Sequence, residues 1–249
     1  MSGVQVVKIG GAALTDTQWL ERFAAHARDG RTRIIVHGGG PEVSALSERL
    51  GIEVRWRDGR RVTTPEALDV AAMVLSGRIN KRIVRALRVV DVPALGLSGE
   101  DGVVEGELAQ EGQLGRVGAV VQVDAALLKQ LIGAGLVPVI SPISADRAGD
   151  SLNINADEVA TAIAAAVGAD ELLFLTDVAA VRNETGNCTR LDGDAALDLV
   201  ERGVASGGMA VKLRAAVGAL RARVERVRVG GLEMMNNPTA GTLLSSQVA

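Results

Sequence analysis

Tyrosine is absent from this sequence, and its aromatic side chains are two tryptophans and two phenylalanines among 249 residues: Trp19, Trp56, Phe23 and Phe174. A protein that grips single-stranded nucleic acid needs aromatic platforms for its bases, which argues against that class. The net charge of −3 adds no global attraction to a phosphate backbone. Cysteine occurs once, as Cys188, which excludes an internal disulfide and a cysteine-rich metal site. It sits in the polar run Asn187-Cys188-Thr189 with no histidine nearby, a bystander rather than a nucleophile. Asn183-Glu184-Thr185 and Asn187-Cys188-Thr189 match the glycosylation pattern, which matters only in a secreted chain. The residues ahead of Lys8 lack both the cationic start and the apolar stretch of a secretory leader. The longest uncharged runs, Gln130–Ala145 among them, contain glycine and proline and fall short of the roughly 20 apolar residues that span a bilayer. These absences lead us to expect a soluble, cytoplasmic protein with a small-molecule partner, no nucleic acid and no membrane.

What the sequence does hold is glycine, 30 residues of it, in a chain that is 47% hydrophobic. That composition favours an α/β protein with tight turns and close helix–sheet packing. Strand candidates Val4–Ile9, Arg33–His37, Pro93–Leu97, Val137–Ser141, Glu171–Thr176 and Val227–Val229 alternate with helix candidates Trp19–Arg28, Glu42–Leu50, Glu66–Val90, Ala125–Ala134, Asp157–Val167, Asp194–Glu201 and Met209–Arg223. The alternation predicts a mainly parallel sheet with helices on both faces. Thr64, Pro65 and Glu66 start the long third helix well. Asp58-Gly59, between Glu53–Trp56 and Arg61–Thr63, signals a hairpin, and a more irregular β segment covers about Val103–Val123. A complete strand–loop–helix series restarts near Gly168-Ala169, which predicts lobes at 1–168 and 169–249. The ligand cleft is then expected at the carboxyl ends of the strands.

Two glycine clusters follow two apolar strands: Gly10-Gly11 behind Val4–Ile9, and Gly38-Gly39-Gly40 behind Arg33–His37. Bare backbone ahead of a helix N-terminus suits an anion, and Lys8 adds a point charge beside it. No G-x-x-x-x-G-K-[ST] is present, and no G-x-G-x-x-G follows a strand. His37-Gly38-Gly39-Gly40 resembles a lipase oxyanion loop, but Gly96-Leu97-Ser98-Gly99-Glu100 fails as a nucleophile elbow, so a hydrolase is excluded. Asn153-Ile154-Asn155-Ala156-Asp157 opens an apolar helix with more polar groups than capping needs, and Asn153 and Asn155 share one side of an extended segment. Ser206-Gly207-Gly208-Met209-Ala210-Val211-Lys212 puts a lysine in the first turn of its expected helix, an unfavourable end for the dipole unless an anion sits there; a solvated surface lysine is the alternative. Thr176-Asp177 ends a strand and is a fourth candidate for nucleotide contact.

Taken in order, Lys8-Ile9-Gly10-Gly11, Val36–Gly40, Gly59–Thr63, Asn80-Lys81, Gly115–Gly118, Asn153–Asp157, Thr176-Asp177-Val178 and Gly208–Lys212 resemble the amino acid kinase family over essentially the whole chain. The resemblance implies a three-layer α/β/α sandwich, with an acyl amino acid in the N-terminal lobe and ATP in the C-terminal lobe. It is nearest to members that phosphorylate the γ-carboxylate of N-acetyl-L-glutamate for arginine biosynthesis. It implies that Lys8 and Lys212 embrace the transferring phosphoryl group and that Asp157 orients both. Gly11 and Gly39 would donate backbone hydrogen bonds to the γ-phosphate. Gly38, Gly39, Arg61, Asn153 and Asn155 would hold the substrate, Arg61 taking its α-carboxylate. Gly10, Thr176, Asp177 and Met209 would lie along the nucleotide with Lys8, Gly11 and Lys212. The attacking γ-carboxylate is already ionised at neutral pH, so no general base is needed, and Mg²⁺ is expected to arrive on ATP.

Departures narrow the expectation. Ala12 stands where many relatives have Ser or Asn, removing one hydrogen bond. Feedback-inhibited members carry an N-terminal helix that joins dimers into hexamers. Few residues precede Lys8, so the resemblance implies an arginine-insensitive homodimer paired through Glu66–Val90. Kinases for α-aminoadipate or glutamate on a carrier protein are the nearest alternative; they tend to have glycine where this chain has Ala156, and Arg61 suits a free α-carboxylate. A non-catalytic sensor is the other alternative, and retention of Lys8, Asp157 and Lys212 together argues against it.

Overall fold

Glu171–Leu175, Gln5–Ile9 and Arg33–His37 lie side by side at the centre of an eight-stranded sheet. On one side the order continues through Val137–Ser141 to Ala94–Ser98, and on the other through Arg226–Gly230 and Thr242–Ser245 to Arg190–Asp192. The computed structural model describes residues 3–11, 13–57 and 60–245, so Ala12 and the Asp58-Gly59 turn lie outside the described residues. All neighbours are parallel except Arg226–Gly230 and Thr242–Ser245, which are antiparallel. Gln5–Ile9 and Arg33–His37 are buried along their whole length, as in a sheet covered on both faces.

Alternation along those strands divides the core in two. Val6, Ile34 and Leu172 pack against helices Ala125–Gly133, Ala156–Val167, Gly193–Glu201 and Gly207–Arg221. Val7, Ile35 and Leu173 pack against Thr17–His26, Gly40–Arg49 and the helical stretch that begins at Pro65. The result is three layers, α/β/α. Strands before Gly168 are contiguous on one side of the sheet and those after it on the other, so the winding direction reverses beside Gln5–Ile9. A crevice at the carboxyl ends of the strands is expected at such a reversal.

Three elements differ from the sequence expectation. The long third helix is α only over Pro65–Ala72 and Asn80–Val89, and Met73–Ile79 between them is a π-helix. The buried positions Ala71, Leu75, Ile79, Ile83 and Leu87 step by four rather than by 3.6, in keeping with its wider turns. The irregular segment Val103–Val123 supplies Val104–Leu108 and Val117–Val123 to a closed four-stranded barrel, completed by Ile143–Ala145 and Ser151–Ile154. Gly106 and Gly118 let those strands close over Leu152 and Ile154, whose atoms a Cβ would meet at 2.9–3.1 Å. Cys188, read as part of a polar loop, is buried in the core.

Candidate active site

The strand alternation that buries Val6 turns Lys8 to the same face, toward the N-terminus of helix Ala156–Val167. There Lys8 Nζ lies 2.9 Å from Asp157 Oδ1, both side chains nearly inaccessible. Lys212 Nζ approaches the same oxygen at 4.0 Å from helix Gly207–Arg221. Among the described residues no other donor reaches that oxygen, so the two ammonium groups share it. Burial, and then the neighbouring Lys8 ammonium, hold Lys212 below the ordinary lysine range against the opposing pull of Asp157 and Asp177. Removing one partner of such a cluster is costly, while the intact cluster adds little to stability. Two buried cations share one buried anion, which leaves a net positive charge facing the cavity.

The glycine loops meet beside this cluster. A Cβ on Gly11 would lie 3.0 Å from Gly39 Cα and from the nitrogens of Gly39 and Gly40, so the two backbones touch and only glycine fits without a shift. Gly38 N–H is tied to Ile9 O at 3.0 Å. Among the described residues, the N–H groups of Gly11, Gly39 and Gly40 donate to no protein acceptor. Three helix N-termini reach the cavity, at Gly40, Ala156 and Gly208. Those at Gly40 and Gly207 have no side-chain cap, so unpaired donors and positive dipole ends converge there.

The cavity occupies roughly 340 Å³ and continues from the lysines to Arg61 and Asn153. Arg61 is 9% exposed, donates Nη2 to Gly40 O at 3.1 Å and Ser44 Oγ at 2.5 Å, and pairs with no carboxylate among the described residues. Burial lowers its affinity for a proton, and Glu48 acts on it through space in the opposite sense. A buried guanidinium with free donors suits a ligand carboxylate. Asn153 Nδ2 donates to Thr63 Oγ1 at 3.1 Å, which leaves its carbonyl oxygen for the cavity.

Not every expected residue is used as expected. Lys8, Gly11, Gly38, Gly39, Arg61, Asn153, Asn155, Asp157 and Lys212 all line this cavity. Asn155 caps the helix by accepting from Asp157 N–H at 2.8 Å, so its carbonyl oxygen is engaged in capping. Helix Gly207–Arg221 begins two residues before the expected Met209, which moves Lys212 from the first turn to the second. Gly207, at a φ of 53°, admits this earlier start. Gly10, Thr176, Asp177 and Met209 do not line the cavity. Gly10 N–H instead meets Leu175 O at 3.4 Å, Thr176 N–H meets Gly230 O at 2.9 Å, and Met209 packs against the core.

Trp56, expected in the hairpin but not in the site, also lines the cavity. It sits opposite Arg61 in the hairpin of Trp56–Arg57 and Arg60–Arg61, with the guanidinium carbon 4.7 Å from its ring centre. The Asp58-Gly59 turn signal, placed midway between the two, was sufficient to pair them. Leu75, Pro142 and Gly118 add walls from elements whose placement depends on non-local pairing.

Among the described residues no group of three or more His, Cys, Asp or Glu side chains converges as a metal site, and no helix is long and apolar enough to cross a membrane. The family model for the amino acid kinase family matches residues 3–231. An acetylglutamate kinase of Methanopyrus kandleri is 42% identical over 92% of this chain and 96% of its own length. One from Rubrobacter xylanophilus is 42% identical over 98% of this chain and 94% of its own. The crystal structure of smu.665 from Streptococcus mutans superposes with a TM-score of 0.88 at 27% identity, covering 99% of this chain and all of that one.

Proposed function

The chain belongs to the amino acid kinase family, and on that premise we propose that it transfers the γ-phosphoryl group of ATP to the γ-carboxylate of N-acetyl-L-glutamate, as in arginine biosynthesis. The observation that carries this reading is one cavity with a cationic, donor-rich end at Lys8, Lys212 and the glycine loops and an unpaired buried guanidinium, Arg61, at the other. The relatives named acetylglutamate kinase at 42% identity support the acceptor.

In this reading Arg61 and Asn153 hold the α-carboxylate end, and Gly38 with Gly39 hold the acetylated end. The γ-carboxylate then faces the phosphates without needing a base. Its oxygen forms a bond to the γ-phosphorus while the bond from that phosphorus to the β,γ-bridging oxygen breaks. ADP leaves with the electron pair, and no proton moves. Lys8, Lys212 and the N–H groups of Gly11 and Gly39 stabilise charge on the phosphoryl oxygens, an effect of preorganised electrostatics. Asp157 keeps the two lysines together. Mg²⁺ on ATP would screen the phosphates. The residues facing them are cations and N–H donors, which suits a metal held by the nucleotide's own oxygens and water.

We assign the acyl amino acid to a lobe of residues 1–168 and ATP to a lobe of 169–249. Gly10, Thr176, Asp177 and Met209 would then contact the nucleotide where it extends beyond the cavity. The charge of Asp177, felt at Lys212, supports that direction. We also propose a cytoplasmic homodimer paired through the helical stretch from Glu66 to Val90, where Met73 and Val89 are exposed apolar residues.

ATP-dependent trapping of an acyl phosphate by hydroxylamine, run with N-acetylglutamate, glutamate, aspartate and a carrier-linked glutamate, tests the acceptor. N-acetylglutamate is expected to give the highest kcat/KM. A preference for the carrier-linked substrate would move the assignment to the sister kinases, and no hydroxamate from any acceptor would refute the kinase reading.

A further inference from the structure

The Gly38–Gly40 loop is held from behind by groups that touch no part of the cavity. His37, fully buried, places Nδ1 3.0 Å from Gly38 O and Nε2 3.2 Å from Asn80 Nδ2. Asn80, also fully buried, is oriented by three other contacts. Its Nδ2 donates to Val139 O at 2.8 Å and Leu97 O at 3.2 Å, and its Oδ1 accepts from Lys81 Nζ at 3.2 Å. Carbonyl oxygens only accept, so the nitrogen of the amide must face them and His37 Nε2 with it. Asn80 Nδ2 has two hydrogens for three acceptors, so His37 Nε2 shares one of them with a carbonyl; Gly38 O can only accept, so the ring proton sits on Nδ1 and Nδ1–H donates to Gly38 O.

Asn80 begins its α-helix directly after the π-helix Met73–Ile79. That π-helix also sets Leu75 and Ile79 against Gly39, where a Cβ would meet their methyl carbons at 2.6 and 2.2 Å. The π-helix thus abuts the glycine loop sterically at Gly39, and the residue that follows it, Asn80, reaches Gly38 through His37. A π-helix is an uncommon conformation that concentrates at functional positions. Its consequence here follows from the chemistry of the loop. A carbonyl oxygen turned into the cavity would repel phosphate, whereas N–H groups attract it.

We infer that His37 and Asn80 are positioning residues for phosphoryl transfer. They clamp the Gly38 carbonyl so that the N–H groups of Gly39 and Gly40 remain free for the anion. This rests on the phosphoryl-transfer reading above, and neither residue touches the reacting atoms. The Nδ2 of an asparagine at position 37 can occupy the place of His37 Nδ1, whereas the amide of a glutamine reaches only to the place of Nε2. Size alone ranks these replacements the other way.

The test compares His37→Asn with His37→Gln, with ¹⁵N NMR of the wild-type imidazole. The clamp predicts a ring protonated at Nδ1 and a kcat for His37→Asn within about 5-fold of wild type. It predicts a kcat for His37→Gln lower by about 100-fold, the scale of one lost transition-state donor, with KM for ATP nearly unchanged. Asn80→Asp, which offers Nε2 an acceptor in place of a donor, is expected to lower kcat similarly while the fold, followed by circular dichroism, is retained. A ring protonated at Nε2, equal losses in the two His37 variants, or an unimpaired His37→Gln would overturn the inference. The tautomer needs no turnover to be read, so an inactive wild type would refute the kinase reading and leave the clamp to be judged by NMR.

Discussion

Lys8 and Arg61 occupy opposite ends of one cavity, and their burial arises for different reasons. Lys8 is carried inside by its strand and is matched by Asp157, whereas Arg61 is matched by hydrogen bonds but, among the described residues, by no carboxylate. Replacement should therefore separate chemistry from binding. Lys8→Ala is expected to lower kcat by at least about 100-fold with little change in KM for N-acetylglutamate, and Arg61→Ala to raise that KM by about 10-fold or more with a smaller loss in kcat. Steady-state kinetics with the acceptor varied at saturating ATP check both; an unchanged KM for Arg61→Ala contradicts its role. The buried imidazole of His37 behaves differently. Burial, and then the nearby Lys8, Arg82 and Lys81 charges, push its pKa down to about 4 against the hydrogen bond to Gly38. Its folded value thus lies below the ordinary 6.5, so the unfolded chain binds this proton first as pH falls. The stability present above about pH 6.5 is lost as pH drops toward 4. Between pH 7 and pH 5 wild type should lose roughly 2 kcal/mol more than His37→Asn, read from urea midpoints. Equal losses in the two proteins would show that His37 is not held neutral.

At the scale of elements, the glycine loops, the Asn153–Asp157 segment and Lys212 were legible because each carries its chemistry in consecutive residues. Bare glycine after an apolar strand, and a lysine with no helical reason to be where it is, are local signals. The barrel was not legible: its strands are short and its register joins Asn153 to Val117 across a long stretch of chain. The π-helix left a weak mark, buried apolar positions that step by four from Ala71 to Leu87, which a template of threes and fours absorbs. That stretch also carries the proposed contact between protomers, because Met73 is 56% exposed in the middle of it. Light scattering is expected to give wild type a mass of twice 25.7 kDa, and Met73→Glu a shift toward the monomer. A monomeric wild type contradicts the pairing, and a Met73→Glu dimer moves it off this face.

At the scale of the whole molecule, the two halves of the chain are joined at both ends of the central strands. At the amino ends, Gln5 bridges Arg33 and Glu171, and Glu171 binds Arg228, with both arginines almost completely buried. At the carboxyl ends, Lys8 and Asp157 from the first half meet Lys212 from the second. The first join is a closed polar network, while the second sets two ammonium groups on one carboxylate oxygen and borders the cavity. Alternating strands and helices made the sheet foreseeable from the sequence; the antiparallel Thr242–Ser245 and the edge strand Arg190–Asp192 were not, since both are short and pair with each other across some fifty residues.

The central claim is that a substrate carboxylate oxygen, rather than water, attacks the γ-phosphorus. N-acetylglutamate labelled with ¹⁸O in its γ-carboxylate tests this directly when the product is cleaved by hydroxylamine and the released phosphate is observed by ³¹P NMR. Hydroxylamine attacks the carbonyl carbon, so the bridging oxygen stays with phosphorus. The account predicts phosphate carrying ¹⁸O from the substrate in step with ADP formation; unlabelled phosphate would contradict it.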